Sequence, residues 1–572
     1  MRAILRTLLA LGALALGLPA AAQPAPVVLL KSDTTSAFFR AHGGDYERLL
    51  EPWRALFARH GVAARELAAG ELAAVRGPAV LVLASSVALG EPERAAIRAR
   101  LAAGWSVLGT WAVGVRDGRG EWSGYGFIEE LFAAQVAAEL APGKEESFLL
   151  PYGESPLTHA LPAGKRIYLM RTSEPFLRVR AAHPAARFGN YMREVTQPGA
   201  LLAGAAFDER AGARRAYFGF PESAWDSAQQ DIDALVLGTL AWLQRRPIVV
   251  KSAWPHPYQA AVLLEMDTED KFDNSLRFAE QLERHRIRGT FYSVTSEAQK
   301  FPRVVKRLAA RHEIAYHAEV HNGFARLAPA EQQARLREMV RQLSRLVPDA
   351  SVATGFRAPL EQYDEHTERA LRAAGIRHHA ASPAARDDAL PGFSSAEPGL
   401  GPDQALVVLP RTWLDDINLL DSGRLSAAPA EQTLLGSLED TRAMRSFGLL
   451  SLHTQNFHGG SVLERVLPKL LGRISQRRDE VWTPAGAQLA QWWRDRAAVS
   501  VSVRESGERL VVRVESASGA AKNLRLVLFP PGIRAPLLEG DPAARLEKLD
   551  EHRWALVLPR VEKGVTELAL RL

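Results

Sequence analysis

Arg311-His312-Glu313-Ile314-Ala315-Tyr316-His317-Ala318-Glu319-Val320-His321 is the stretch from which the fold and the chemistry are read together. Glu313 to Tyr316 reads as a short strand, and the two histidines follow it directly. His317 and His321 stand four residues apart, so on a helical turn both imidazoles would point the same way and could hold one cation. An isolated pair of this spacing is weak evidence, because histidine is also an ordinary helix-surface residue. Its weight depends on what lies on either side.

Outward from this stretch, short apolar runs alternate with helical patterns from about Lys251 to Arg496. Strands are expected at Ala260 to Met266, Gly289 to Ser293, Glu313 to Tyr316, Val352 to Phe356, Ile376 to His379, Val407 to Leu409 and Leu449 to Leu452. Between them, Leu336, Met339, Val340, Leu343, Leu346 and Val347 recur at helical spacing and predict one buried stripe over Ala330 to Val347. Strand and helix units in this number predict a distorted or incomplete (β/α) barrel, which gathers its functional side chains at the C-terminal ends of the strands.

Four polar groups fall at such ends. Met266-Asp267-Thr268-Glu269-Asp270 puts three carboxylates directly after the apolar run Ala260 to Leu264, where any single one could equally cap the next helix. The histidine pair is the second group. The third, Gly355-Phe356-Arg357-Ala358-Pro359, ends the fourth run with a cation, which alone would read as a surface ion-pair partner. Leu450-Ser451-Leu452-His453 ends the last one with a histidine, which alone would read as a hydrogen-bonded core residue.

Taken in order, carboxylate cluster, paired histidines, Arg-x-Pro and Leu-x-His, these residues resemble the polysaccharide deacetylase family that includes the chitooligosaccharide deacetylases of nodulation. Arg311 to His321 is similar to the family motif Gly-His-Glu-Ile-Ala-x-His-x-x-x-His, and Gly289-Thr290-Phe291-Tyr292 to its second strand; the likeness covers roughly Gln259 to Phe457. The resemblance implies a metal-dependent hydrolase acting on non-peptide C–N bonds. His317 and His321 would bind a divalent metal, with zinc the expected ion, and Asp267 would be the general base. Arg357 would orient Asp267, and His453 would be the general acid. Common members carry two adjacent aspartates in the first motif, whereas Asp267 is followed here by Thr268, Glu269 and Asp270, so the third ligand is either Glu269 or Asp270. Leu360 stands where a tyrosine is usual. In Trp413-Leu414-Asp415-Asp416, either Asp415 or Asp416 could be the acidic partner that raises the pKa of His453, with a solvated loop pair the competing account.

The flanks read differently. Arg2 and Arg6, the apolar Leu8 to Leu18 and the small residues Ala20 to Ala22 form an expected cleaved signal peptide over 1–22, which implies a periplasmic or secreted protein. From 23 to 247, the runs Val27 to Leu30, Ala79 to Ala84 and Trp105 to Trp111 alternate with helices such as Glu91 to Ala103. That order resembles a flavodoxin-like or glutamine-amidotransferase-like α/β domain. The amidotransfer chemistry needs a cysteine nucleophile, and the chain has no cysteine, which leaves a structural or glycan-positioning role. Ser85, Ser86 and Asp33 follow strands and read as turn or helix caps. After the barrel segment, 248–496, the period switches to two: Val499, Val501 and Val503, then Leu510, Val512 and Val514, then Leu524, Leu526 and Leu528 predict a small β-sandwich over 497–572. Trp482, Trp492 and Trp493, at near-helical spacing before it, read as a packing cluster, with a sugar-binding surface the alternative.

The chain has 572 residues, too many for one core, so several domains are expected. The formal net charge is +6, but Lys and Arg are interspersed with Asp and Glu, and no run is dense enough for a nucleic-acid arm. The expected partner is a polysaccharide substrate, with envelope export machinery beside it and no nucleic acid. A catalytically silent glycan-binding scaffold of polysaccharide export is the competing reading, against which stands the joint presence of Asp267, both histidines, Arg357 and His453.

Overall fold

The computed structural model describes residues 24–141, 147–189, 201–347, 353–381, 390–532, 535–540 and 543–572. The expected signal peptide and Val352 lie outside them. Among the described residues no helix is long and apolar enough to cross a membrane.

Seven parallel strands, Ala260–Thr268, Thr290–Ser293, Glu313–Tyr316, Gly355–Arg357, His378–Ala381, Val407–Pro410 and Phe447–His453, form the central sheet. The first six neighbour one another in chain order, and the last pairs with the first. The ring closes where the chain leaves Pro410. The Thr412 hydroxyl donates to the Phe447 carbonyl (2.9 Å) and accepts from the Leu449 amide (3.0 Å), while the Trp413 amide donates to the Leu449 carbonyl (3.2 Å). Glycine is required beside this seam, because a Cβ at Gly448 would lie 2.5 Å from the Trp413 indole. The expected distorted (β/α) barrel is therefore a curled sheet with a short, irregular seam.

Each strand obeys the two-residue period, and this decides where the chemistry points. On Ala260–Thr268, Val262, Leu264 and Met266 face outward into a core shared with the surrounding helices, alongside Phe291, Ile314, Phe356, Leu450 and Leu452. The opposite phase faces inward: Ala261 and Leu263 low in the barrel with Val407, Leu409, Phe447 and Leu449, then Glu265 and Asp267 above them. The lower end is filled by Trp254, Trp492 and Trp493.

The preceding segment carries Val27–Leu30, Ala64–Leu67, Val80–Leu83, Ser106–Thr110 and Ala213–Phe218 as parallel strands. Numbered along the chain, these five stand in spatial order 2-1-3-4-5, the doubly wound arrangement, which an antiparallel extension continues through Ala205–Arg210. The C-terminal part is two four-stranded antiparallel sheets with Val512, Val514, Leu524, Leu526, Leu556, Leu568 and Leu570 buried among them. One difference from the sequence-based expectation concerns residues just past Pro247. Ile248–Lys251 is a strand antiparallel to Lys522–Phe529, so the segment placed at the start of the barrel region completes a C-terminal sheet instead. The β-branched Ile248-Val249-Val250 suits a strand, and its partner lies more than 270 residues away, beyond the reach of any local pattern.

Candidate active site

The inward phase of five strands brings the polar ends together. Asp267 lies directly beside His453 in the register of the first and last strands, and beside Tyr292 on the other side. Arg357 ends its strand on the inward phase, and His317 is the first residue beyond Tyr316. Asp267, His317, Arg357 and His453 are all buried, while His321 lies at the surface.

Glu269 is the point of convergence. Its Oε1 is 3.2 Å from Nε2 of His317 and 2.8 Å from Nε2 of His321, and its Oε2 accepts from the Gln455 amide at 2.8 Å. The backbone does not reach this geometry by a helical turn. Residues 317–321 are irregular backbone leading into a bend, with Ala318 at the left-handed φ of 68, and the two rings come to 5.3 Å between centroids. The spacing of four was informative, and the helix assumed for it was not. Of the two carboxylates left open by the sequence, Glu269 is the one in the cluster. Asp270 is exposed, and the bond it contributes here is its backbone carbonyl accepting from the Thr454 hydroxyl at 2.6 Å.

The donor set suits a divalent cation. Nδ1 of His317 lies 2.9 Å from the Arg357 carbonyl. A carbonyl only accepts, so Nδ1 carries a proton, and Nε2 is the nitrogen that would turn a lone pair to a cation in place of the proton it shares with Glu269. Two imidazoles and one carboxylate, with ligand atoms all within 4.8 Å of one another, match the composition of sites that hold zinc with an open position. Burial opposes ionisation of Glu269, but hydrogen bonds from both histidines outweigh it and hold the carboxyl well below its usual range.

Two carboxylates fix the flanking groups. Arg357 Nε is 2.8 Å from Oδ2 of Asp267 and Nη1 is 2.5 Å from Oε1 of Glu265. Burial works against the guanidinium charge, and Asp267, Glu265 and Glu361 together more than restore it. On the far side, Asp416 grips His453 twice: Oδ1 is 2.7 Å from Nδ1, and Oδ2 accepts from the His453 backbone amide at 2.7 Å. Burial pulls the imidazole toward its neutral form, but Asp416 and Asp267 raise its pKa to about 9. Nε2 of His453 is left 3.5 Å from Oδ2 of Asp267. Asp415 has a different partner, Arg411.

Sequence reasoning missed Glu265, Glu361 and Arg411. Glu361 is 3.3 Å from Arg357 and 2.8 Å from Arg411, which pairs with Asp415. A ring of charges thereby runs from Asp267 through Arg357, Glu361, Arg411 and the Asp415-Asp416 turn to His453 and back to Asp267. Glu265 could have been found as a carboxylate inside an apolar strand on the same phase as Asp267, and Arg411 as a cation one step past a strand end. The other residues singled out lie elsewhere. Ser85 and Ser86 are buried in the first segment, where the Ser85 hydroxyl donates to Glu222 at 2.5 Å instead of capping a turn. Asp33 opens a helix whose cap is Ser32. Trp492 and Trp493 are core residues, and Trp482 stacks on Tyr258.

Among solved structures, the chain is similar to Agd3, a carbohydrate deacetylase, at 12% identity and TM-score 0.42, over 96% of this chain and 98% of that one. It is also similar to a Mycobacterium smegmatis protein assigned to the polysaccharide deacetylases (20% identity, TM-score 0.37, 42% of this chain and 92% of that one). Puue allantoinase is a third (14% identity, TM-score 0.34, 42% and 92%). No curated protein matches the chain. Residues 260–379, the segment that holds Asp267, Glu269, His317, His321 and Arg357, match the family model described as polysaccharide deacetylase.

Proposed function

We propose that this protein removes N-acetyl groups from N-acetylglucosamine-type units of an exported or cell-envelope polysaccharide, releasing acetate, and that it does so with a divalent cation, zinc, held by Glu269, His317 and His321. The observation that carries this reading is the approach of one Glu269 oxygen to both imidazole Nε2 atoms, with Asp267 and His453 alongside. A cation in that position would act as a Lewis acid, making water more acidic and polarising the acetamide carbonyl.

The protein's own groups supply the proton transfers. Asp267, oriented by the Arg357 guanidinium, takes the proton of the attacking water. The tetrahedral adduct then collapses only if the amine is protonated as it leaves. His453 holds a proton on Nε2 up to about pH 9 and donates it, while Asp416 fixes the ring and steadies its charge. Separate groups for the base and acid steps are what distinguish this arrangement from a passive glycan cradle.

The basic, apolar and small-residue order of residues 1–22 supports export to the periplasm or beyond, with envelope export machinery as a partner. The doubly wound first segment, similar in order to amidotransferase-like domains, lacks their cysteine and is read as a positioning domain. The test pairs metal analysis with acetate release from peptidoglycan, chitin oligomers and poly-N-acetylglucosamine. Metal near one equivalent with acetate from at least one polymer is expected, and a metal-free chain inert on all three overturns the proposal.

A further inference from the structure

Beside the end of the barrel opposite Asp267 lies a groove of about 670 Å³, whose lining includes Tyr258, Arg284, Arg286, Arg288, Arg478 and Trp482. Arg284 ends the helix before the second barrel strand, and Arg286 and Arg288 lie in the loop leading into it, so all three sit at the N-terminal end of the sheet. The neighbouring helix ends at Gln476, and Arg478 follows it.

The four arginines are exposed. None of them pairs with a carboxylate among the described residues. Arg288 Nε donates to the Arg311 carbonyl (3.1 Å) and Arg478 Nε to the Ser475 carbonyl (3.2 Å), which leaves their terminal nitrogens available. This is unusual for a surface whose nearby arginines are matched, Arg307 with Glu283 at 2.7 Å and Arg477 with Glu480 at 3.2 Å. The groove itself contains one acid, Asp479. Arg286 also has φ 59, a left-handed position just past a helix where glycine is least strained, and it carries a cation there. Beside the arginines, Tyr258 and Trp482 stack at 6.1 Å and 19°, with Trp254 packed 6.5 Å behind Trp482, so the aromatic surface is rigid.

We propose that this groove is a second binding site, separate from the deacetylation centre, that anchors an acidic polysaccharide through its carboxylate- or phosphate-bearing sugars. Guanidinium groups bind such substituents through two parallel hydrogen bonds, and an aromatic plate takes the apolar face of a pyranose ring. Tyr258 and Trp482 are stacked on each other and leave no slot between them for a base. The choice of a glycan over another polyanion rests on the deacetylase reading above. Deacetylation creates ammonium groups, which four guanidinium groups repel, so the groove holds acidic stretches and releases finished ones.

The test is calorimetric binding of polygalacturonate oligomers to the full chain at two salt concentrations, with Arg286→Ala/Arg478→Ala and Trp482→Ala variants. Binding that weakens with salt, and falls about tenfold or more in the double arginine variant, is expected. A smaller loss is expected for Trp482→Ala. No binding by the unaltered chain, or binding indifferent to both arginines, overturns the site. Tighter salt-sensitive retention of single-stranded DNA or of phosphatidylglycerol vesicles, lost in the same double variant, overturns its assignment to a glycan. Binding is read without turnover, so a chain that released no acetate would sink the catalytic reading and leave the groove standing.

Discussion

His317 and His453 are both buried imidazoles within reach of Asp267, yet the second nitrogen of one faces a neutral carbonyl and that of the other a charged carboxylate, and this separates their roles. His317 commits Nδ1 to a backbone carbonyl and has Nε2 to offer a cation, whereas His453 faces a carboxylate and is held as an acid. His317→Ala removes one donor of three. Bound metal, expected near one equivalent by elemental analysis, should fall sharply, and acetate release should drop by at least about a hundredfold. Asp416→Asn tests the other histidine. The pKa of His453 stands near 9 because Asp416 favours the charged form, so the acid is present below that pH and lost above it. Without that carboxylate the value moves back toward about 6.5, and the alkaline limb of the kcat profile should move down by one or more pH units. A variant whose alkaline limb stays in place would remove His453 from the acid role.

At the level of strands and turns, the ring of ion pairs ties the two halves of the site together through residues that touch neither water nor leaving group. Arg411 is its keystone, joining Glu361 on one loop to Asp415 on another, one residue from Asp416. Leu360 and Glu361 both have left-handed backbones, φ 56 and 53, a strained turn of the kind that persists only where its surroundings hold it. Arg411→Met should therefore lower kcat by about ten- to a hundredfold through misalignment, with KM and metal content little changed. Arg411→Lys should recover part of the loss, and Glu361→Gln/Arg411→Met should be no worse than the poorer single variant. Much of this scale was legible in the sequence. The runs at Val27, Val80, Ala260, Thr290, Glu313, Val407 and Phe447 are strands because β-branched and apolar residues crowd short segments, and the polar groups ending four of the barrel runs could be picked out by eye. The ring could not, since Glu361, Arg411 and Asp415 meet only after a seam between residues 412 and 449 closes. Nor could Glu269 be separated from Asp270, because that depends on how the chain turns after Thr268.

Over the whole molecule, one buried carboxylate joins all three parts. Glu154, from the first segment, accepts from the Ser252 hydroxyl (2.7 Å) and from Arg525 of the C-terminal sheet (2.6 Å), and its other oxygen is 2.6 Å from Arg445 at the foot of the last barrel strand. Nothing near residue 154 in sequence announces this, because its partners lie about 100 to 370 residues away. Nearby, Val527 and Phe529 turn from the sandwich into the core of the first segment, so the junction is apolar as well as ionic. Burial alone would keep the Glu154 carboxyl neutral, but Arg445 and Arg525 overcome it and lower its pKa. Removing it leaves the buried Arg525 and the half-buried Arg445 without their carboxylate, a loss of about 3–5 kcal/mol for a buried pair broken on one side. Glu154→Ala should then melt several degrees below the parent chain in calorimetry at neutral pH, at roughly 2–4 °C per kcal/mol for parts of this size. The pH dependence carries the sharper test. A carboxyl whose folded pKa is depressed contributes stability that is complete above its unfolded value of about 4.3 and is lost as pH falls through the folded value. The melting gap between parent and Glu154→Ala should hold constant from neutral pH down to about 4.3 and close only in stronger acid. A gap already closing between pH 7 and 5 would mean that a histidine, and not Glu154, sets the junction, and an absent gap would mean that the apolar contact alone holds the three parts together.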